Sequence, residues 1–241
     1  MSAGDAPVRV PDRITNAHGE RLAFDFVPGA ATRRDLVVLG HGLTSDKDRP
    51  WSEGLSLALA AEGIASVRIA FSGNGASEGA FTDSSISKEV EDLGSVLEAF
   101  SGWRTSYVGH SMGGAVGLLR AVHDERIQNL VSLAAVTHAA GFVRRMFSHL
   151  EIGEPLLDKP GCPLGRTLWD DLVGWGSLVG RASEVSVPWL VVHGTADDVV
   201  PAFHSKDLAR AAPDTCELSL LEGVDHSFTG DGVARMVERV V

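Results

Sequence analysis

The feature that most constrains the fold is a regular alternation between short apolar runs and helical patterns. The apolar runs are rich in β-branched residues on both faces, which is typical of strands buried in a parallel sheet. They are DLVVLG at 35–40, IASVRIAF at 64–71, SYVG at 106–109, NLVSLAAV at 129–136, PWLVVHG at 188–194 and CELSLLEG at 216–223. The alternation predicts an α/β fold, with a mostly parallel central sheet covered by helices on both faces.

The helices are located by apolar periodicity and by the residues that end them. Between Ser84 and Phe100, apolar residues recur at the spacing of one helical face. A second helix spans 51–63, where Gly63 closes it. Further helices are predicted at 112–124, near 203–212 and near 230–241. Before the first buried strand, extended runs at 8–14 and 20–27 flank NAHG and predict a hairpin.

One segment, residues 139–183, interrupts the alternation with glycines, prolines and scattered aromatic residues and no clear strand. In sheets of this kind, ligands bind beyond the carboxyl ends of the strands. An insertion leaving from that edge would cover the ligand site. The chain is therefore predicted to be a single domain over residues 1–241, with residues 139–183 forming a short cap or lid.

Composition and charge exclude several classes of partner. The 21 basic and 32 acidic residues give a net charge of −11, which disfavours nucleic acids and anionic membranes. The two cysteines, Cys162 and Cys216, lack metal-ligand spacing and make no disulfide framework. The amino terminus lacks a signal-peptide core, and no apolar run approaches the roughly 20 residues of a membrane span. A cytoplasmic protein without metal or organic cofactor is expected.

The nucleophile candidate is Ser111, in the sequence GHSMG at 109–113. The pattern G-x-S-x-G needs a strand before it and a helix after it, and both are predicted here. Glycine at Gly109 and Gly113 permits the sharp turn, and the helix amino terminus directs N–H groups toward developing negative charge. The alternative is a structural serine at a tight turn, but the strand–helix context favours the nucleophile.

A serine nucleophile requires a base and an orienting carboxylate. Among nine histidines, His226 lies in the loop GVDHSF after the last predicted strand, at the ligand-binding end of the sheet. His110 precedes Ser111 and is expected to point away from it into the core. Asp197 and Asp198 follow the penultimate strand, and either could serve as the acid while the other caps a helix. The chain order of serine, acid and histidine suits this sheet.

The loop GHGLTSD at 40–46 follows the first core strand and so faces the same edge of the sheet. The backbone N–H of Leu43 is expected to form an oxyanion hole there. The second donor is expected to be the N–H of Met112, directly after the nucleophile.

These motifs together resemble the α/β-hydrolase superfamily over nearly the whole chain. HGL at 41–43 resembles its oxyanion motif, GHSMGG its nucleophile elbow, HGTADDVVP at 193–201 its acid loop and GVDHSF its histidine loop. The acid-loop resemblance implies that Asp197, rather than Asp198, is the triad acid. The short insertion is similar to that of cinnamoyl or feruloyl esterases and of serine aminopeptidase-like hydrolases.

Two other classes of function compete with a hydrolase. A dinucleotide-binding site is disfavoured because GNGASEG at 73–79 places its third glycine one residue late for G-x-G-x-x-G. A non-catalytic binding protein of the same fold stays possible, because fold does not imply function. Within hydrolases, a thioester or an activated amide could acylate the same serine, so thioesterase, amidase and peptidase are the alternatives to an esterase.

The expected substrate is a small or aromatic carboxylic ester, because the 139–183 segment is short beside lids that shelter long acyl chains. Ligand pockets are mostly apolar, with a few polar anchors. The apolar candidates in this segment are Phe142, Met146, Phe147, Trp169 and Trp175. The carboxylates of the same segment could anchor a substrate hydroxyl or be solvated; they are Asp158, Asp170 and Asp171.

Overall fold

The computed structural model describes residues 9–241 and contains nine strands and seven α-helices within them. The strands are β1 (Ile14–Thr15), β2 (Arg21–Leu22), β3 (Phe24–Val27), β4 (Asp35–Gly40), β5 (Ala65–Ile69), β6 (Arg104–His110), β7 (Ile127–Leu133), β8 (Trp189–Gly194) and β9 (Cys216–Leu221). The helices are α1 (Pro50–Ala61), α2 (Ile86–Ala99), α3 (Met112–Ala121), α4 (Ala139–Phe147), α5 (Arg166–Trp175), α6 (Phe203–Ala211) and α7 (Gly232–Val240).

Seven strands form the central sheet in the order β3-β5-β4-β6-β7-β8-β9. Strand β3 is antiparallel to β5, and every later pairing in this sheet is parallel. Apolar side chains of the strands pack against helices on both faces, with α2 and α3 on one side and α1 and α7 on the other. The predicted α/β-hydrolase architecture is confirmed.

The amino-terminal hairpin is shorter than predicted. Strands β1 and β2 pair over two residues each, and the run at 20–27 is divided between β2 and β3, which joins the main sheet. The side chain of Asn16 closes the turn by accepting hydrogen bonds from the N–H groups of His18 and Glu20. Residues 1–8, including the start of the predicted run at 8–14, lie outside the described residues.

The parallel strands bring four loops to one edge of the sheet. Strands β4 and β6 pair in register up to Gly40 and Gly109, so the loop after β4 lies beside the turn after β6. Strands β8 and β9 pair up to Gly194 and Leu221, which places their following loops together. This edge is where α/β sheets bind ligands.

The 139–183 segment contains helices that the sequence analysis did not predict. Helices α4 and α5 pack against each other, and 3-10 turns cover Leu156–Asp158 and Val179–Glu184. The glycines and prolines around these helices interrupt the pattern of apolar residues by which a helix is recognised in a sequence. The segment reaches the loop after β4, where Nζ of Lys159 donates a hydrogen bond to the carbonyl oxygen of Thr44 at 2.6 Å.

Candidate active site

Ser111 occupies the sharp turn between β6 and α3. Its backbone has φ 55° and ψ −117°, a strained conformation for a residue with a side chain. A Cβ atom at Gly109 would collide with the carbonyl oxygen of Gly113, and one at Gly113 would collide with that of His41. The N–H of Ser111 donates to the carbonyl oxygen of Leu133 at 2.8 Å, which holds the turn in place. The turn presents the hydroxyl at the amino terminus of α3.

His226 lies in the loop after β9 and faces this hydroxyl. Its Nε2 atom is 3.1 Å from Oγ of Ser111. Its backbone carbonyl oxygen accepts a hydrogen bond from Nε2 of His110 at 2.8 Å, so the loop is tied to β6. The imidazole is therefore within hydrogen-bond distance of the proton that a nucleophilic serine must lose.

Asp197 lies in the loop after β8 and completes a chain of hydrogen bonds. Its Oδ2 atom is 2.7 Å from Nδ1 of His226. Its Oδ1 atom accepts hydrogen bonds from the N–H groups of Val199 at 2.9 Å and Val200 at 2.7 Å. The neighbouring Asp198 is exposed. The structure thus brings Ser111, His226 and Asp197 together and leaves Asp198 outside the cluster.

A second histidine, His193, contacts the same carboxylate. Its Nε2 atom lies 3.1 Å from Oδ2 of Asp197 and 2.7 Å from the carbonyl oxygen of Val200, while its Nδ1 atom lies 2.5 Å from Oγ of Ser205. Because a carbonyl oxygen only accepts, Nε2 carries a proton. The side chain is fully buried at the end of β8. The acid-loop motif begins with this histidine, four residues before the acid, but its contact with the carboxylate was not predicted.

Asp197 is held in its ionised form. Burial alone would raise its pKa, but the hydrogen bonds from His193 and His226 outweigh burial and hold the pKa of this carboxyl well below its usual range. A buried carboxylate that lies against two imidazoles and accepts two backbone N–H groups stays charged and fixed in orientation. Such a group can stabilise an imidazolium at His226.

His110 packs in the core as expected, but it does not point away from the site. It is buried, and its ring lies 4.7 Å from the His226 ring and 5.5 Å from the Trp51 ring. It also lines the cavity beside Ser111. Burial, with a smaller contribution from the His226 ring, lowers the pKa of His110 to about 3. It is therefore a neutral wall of the site that positions the His226 loop.

The loop after β4 lies against the nucleophile. A Cβ atom at Gly42 would come within 2.8 Å of Cβ of Ser111. Nδ1 of His41 donates a hydrogen bond to the carbonyl oxygen of Gly42 at 2.8 Å, and its Nε2 accepts one from the N–H of Phe71 at 3.0 Å. Because a peptide unit is planar, fixing the Gly42 carbonyl also fixes the N–H of Leu43 on its other side.

The two expected oxyanion donors are available for a ligand. Among the described residues, the N–H groups of Leu43 and Met112 donate no hydrogen bond to another protein group. Leu43 lines the cavity beside Ser111, and Met112 is the first residue of α3. Burial lowers the pKa of His41 to about 4, so the ring that orients the Leu43 peptide is neutral.

A cavity of about 460 Å³ opens beside Ser111 and His226. Its apolar wall comes from several elements and includes Leu43, Trp51, Phe142, Leu157, Val199, Phe228 and Val233. Its size and lining suit a small organic ligand with an apolar part.

Of the predicted pocket residues, Phe142 lines this cavity and the other four do not. This cavity is not lined by Met146, Phe147, Trp169 or Trp175, judged over the residues described here. Phe147 is buried and packs edge-on against Phe142, with ring centroids 5.8 Å apart. Nε1 of Trp175 donates to Oγ of Ser87 at 3.1 Å on α2. The Trp175 side chain thus attaches the 139–183 segment to α2.

The three carboxylates considered as substrate anchors also lie outside the cavity lining. Asp171 accepts hydrogen bonds from Ser87 on α2. Asp170 is exposed near Arg166, and Asp158 is exposed. Within residues 9–241, no cluster of three His, Cys, Asp or Glu side chains is arranged to hold a metal ion. None of the described helices is long and apolar enough to cross a membrane.

Comparison with solved structures shows the same fold. Est1E from Butyrivibrio proteoclasticus, solved with ferulic acid bound, is 21% identical with a TM-score of 0.79, covering 95% of this chain and 96% of that one. A putative hydrolase from Agrobacterium vitis is 24% identical with a TM-score of 0.78, covering 95% of each chain. Alpha/beta hydrolase domain-containing protein 10 from mouse is 20% identical with a TM-score of 0.78, covering 95% and 96%.

Sequence comparison gives the family. An uncharacterized protein of Mycobacterium tuberculosis is 28% identical over 221 residues, covering 89% of this chain and 71% of the relative. The family model described as serine aminopeptidase, S33, matches residues 31–152, which is just over half of the chain and includes the loop after β4 and the Ser111 turn. The protein is therefore a member of the serine aminopeptidase S33 family and a hydrolase of the α/β-hydrolase superfamily.

Proposed function

We propose that this protein is a serine esterase that cleaves small or aromatic carboxylic esters through an acyl-enzyme intermediate. The observation that carries the proposal is the hydrogen-bonded chain from Ser111 through His226 to Asp197 at the wall of a cavity. A hydroxyl, an imidazole and an ionised carboxylate in this order are the groups that activate a serine nucleophile.

In the acylation step, Oγ of Ser111 attacks the ester carbonyl carbon while its proton passes to Nε2 of His226. Asp197 holds the ring by its Nδ1–H and stabilises the imidazolium that forms. The carbonyl oxygen becomes an oxyanion that accepts hydrogen bonds from the N–H groups of Leu43 and Met112. The tetrahedral intermediate then collapses: its bond to the alcohol oxygen breaks, and His226 gives the proton to that oxygen.

In the deacylation step, water attacks the acyl carbon while His226 accepts a proton from it. The bond between the acyl carbon and Oγ of Ser111 breaks, and the proton returns to that oxygen. The products are a carboxylic acid and the free enzyme. Est1E, which shares the fold, was solved with ferulic acid bound, and this supports an aromatic acid as one product to test.

An aminopeptidase activity is less well supported by the cavity. A peptide with a free amino terminus carries an ammonium group that favours carboxylates nearby. Over the described residues, the cavity lining contains no Asp or Glu, but it contains Arg49 and Lys159. An aminoacyl 4-nitroanilide is therefore expected to be a poorer substrate than a 4-nitrophenyl ester.

The test is covalent labelling combined with ester hydrolysis. A fluorophosphonate is expected to label the protein once, at Ser111, and Ser111→Ala is expected to abolish labelling and to lower the kcat for 4-nitrophenyl butyrate by about 10⁴-fold or more. Ser148→Ala, at an exposed position at the end of α4, is the matched control and keeps both activities. Hydrolysis at the wild-type rate by a folded Ser111→Ala protein would refute the proposal.

A further inference from the structure

Two cationic side chains face the same cavity as Ser111. Arg49 comes just before α1, and Lys159 lies in the 139–183 segment. Both are partly buried, and they reach the cavity from separate parts of the chain. Thr44 and Ser45, from the loop that carries the oxyanion donor, line the cavity with them.

Neither cation is neutralised by a carboxylate. Within residues 9–241, Arg49 and Lys159 take part in no ion pair, and Nζ of Lys159 donates to the carbonyl oxygen of Thr44 at 2.6 Å. Two nearby cations are paired with a carboxylate instead. Nζ of Lys47 lies 2.6 Å from Oδ2 of Asp25, and Nη2 of Arg68 lies 3.2 Å from the same oxygen. In a chain whose 32 acidic residues outnumber its 21 basic ones, two unpaired cations at one cavity are unusual.

The carboxylates of Asp197 and Asp46, on two loops near Ser111, accept other hydrogen bonds and lie outside the cavity lining. Asp197 holds His226 and His193, and Oδ1 of Asp46 accepts the N–H of Asp48 at 3.0 Å. Burial is the main cause that lowers the pKa of His41; the hydrogen bond to Gly42 and the charge of Asp46 raise it, and the charges of Arg49 and Lys159 lower it by smaller amounts.

We infer that the substrate carries an anionic group, a carboxylate or a phosphate, in addition to the ester bond that Ser111 attacks. Arg49 offers a planar fork of N–H donors that matches either group, and Lys159 adds a compact positive charge. In a partly enclosed cavity these contacts are stronger than in open water. A neutral ester would leave both cations facing an apolar ligand. This inference rests on the proposed function and narrows its substrate class.

The experiment compares anionic esters with neutral esters that have the same ester bond and the same aromatic ring. On the acyl side, monomethyl terephthalate is compared with methyl 4-methylbenzoate. On the alcohol side, 4-carboxyphenyl butyrate and 4-phosphonooxyphenyl butyrate are each compared with phenyl butyrate. At least one anionic ester is expected to have a kcat/KM roughly tenfold or more above that of its neutral partner. The arm that shows the preference identifies the half of the ester and the kind of anion recognised.

Charge-removing variants test whether the two cations cause this preference. Arg49→Gln and Lys159→Gln are each expected to bring the ratio of anionic to neutral kcat/KM toward one, and high salt is expected to do the same to the unmodified protein. Lys206→Gln, which removes the same charge at an exposed position on α6, is the matched control and leaves the ratio unchanged.

The outcomes separate this inference from the proposed function. Hydrolysis of phenyl butyrate with equal or lower activity on every anionic ester would overturn the inference and leave the esterase proposal intact. A preference that survives in the variants and at high salt would also overturn it. If no ester is cleaved and a fluorophosphonate does not label Ser111, the proposed function fails and the inference fails with it.

Discussion

Nε2 of His193 lies 3.1 Å from Oδ2 of Asp197, the same oxygen that lies 2.7 Å from Nδ1 of His226. One carboxylate oxygen therefore lies between two imidazoles, one buried behind the site and one facing Ser111. Oδ1 of the same carboxylate is held by two backbone N–H groups. The position of the acid depends on its buried neighbour as much as on the loop that carries it.

His193 is expected to act as a positioning residue. His193→Leu removes the N–H donor at nearly constant volume and is expected to lower kcat about tenfold while KM for a neutral ester changes little. His193→Gln keeps an N–H donor and is expected to restore part of the loss. Steady-state kinetics of both variants, with circular dichroism to verify folding, checks this. Equal kcat for the two folded variants would contradict the positioning role.

Asp197 and Asp198 differ sharply in their surroundings, although they are adjacent. Asp197→Asn is expected to lower kcat by about 10³- to 10⁴-fold, because the amide cannot stabilise an imidazolium at His226. Asp198→Asn changes the same chemical group at an exposed position and is expected to stay within a factor of about two of the wild-type kcat. A larger loss of kcat in Asp198→Asn than in Asp197→Asn would show that Asp197 is not the triad acid.

The pH dependence of acylation is expected to follow one ionisation. The kcat/KM should rise from about pH 5 to about pH 8, because a histidine base must be neutral to accept the serine proton. Asp197 adds no second change in kcat/KM between these pH values, because its lowered pKa keeps the carboxylate ionised throughout. Burial lowers the pKa of His110 to about 3, so this ring also stays neutral. A flat profile, or a slope that needs two protons, would contradict a single histidine base.

Much of this site could be predicted because the sheet topology alone determines which loops meet. A strand such as DLVVLG is apolar on both faces, so its position could be read directly, and it coincides with β4. Parallel strands carry their carboxyl ends to one edge, and Ser111, Asp197 and His226 each follow such a strand. Their order along the chain then leaves few arrangements in space.

The interior contacts of the site could not be predicted in the same way. His41 and His193 begin two of the motifs in the sequence, but only the folded chain shows that they contact the Gly42 peptide and Asp197. In the 139–183 segment, the aromatic residues indicate an apolar surface, but the sequence does not show which part of the protein this surface packs against. Trp175 packs toward α2 rather than into the cavity beside Ser111, because α5 contacts α2.

The loop after β4 gives a further prediction about the oxyanion hole. Gly42→Ala would place a Cβ atom 2.8 Å from Cβ of Ser111, so the loop and the N–H of Leu43 must shift. A loss of about 10²- to 10³-fold in kcat is expected, as for removal of one oxyanion donor. Gly141→Ala on α4 has ordinary space around its added Cβ and serves as the control. An unchanged kcat in Gly42→Ala would show that the position of this loop does not contribute to catalysis.

Phe142 is the one predicted pocket residue that lines the cavity, and its neighbour Met146 on the same helix does not. Phe142→Leu shortens the apolar wall without leaving a large void, and it is expected to raise KM for an aromatic ester several-fold, about 1 kcal/mol of lost contact. Met146→Leu changes volume on α4 away from the cavity and is expected to leave KM unchanged. Thermal unfolding of both variants tests whether they stay folded. If the two variants raise KM equally, the effect comes from α4 as a whole, and Phe142 is not part of the substrate wall.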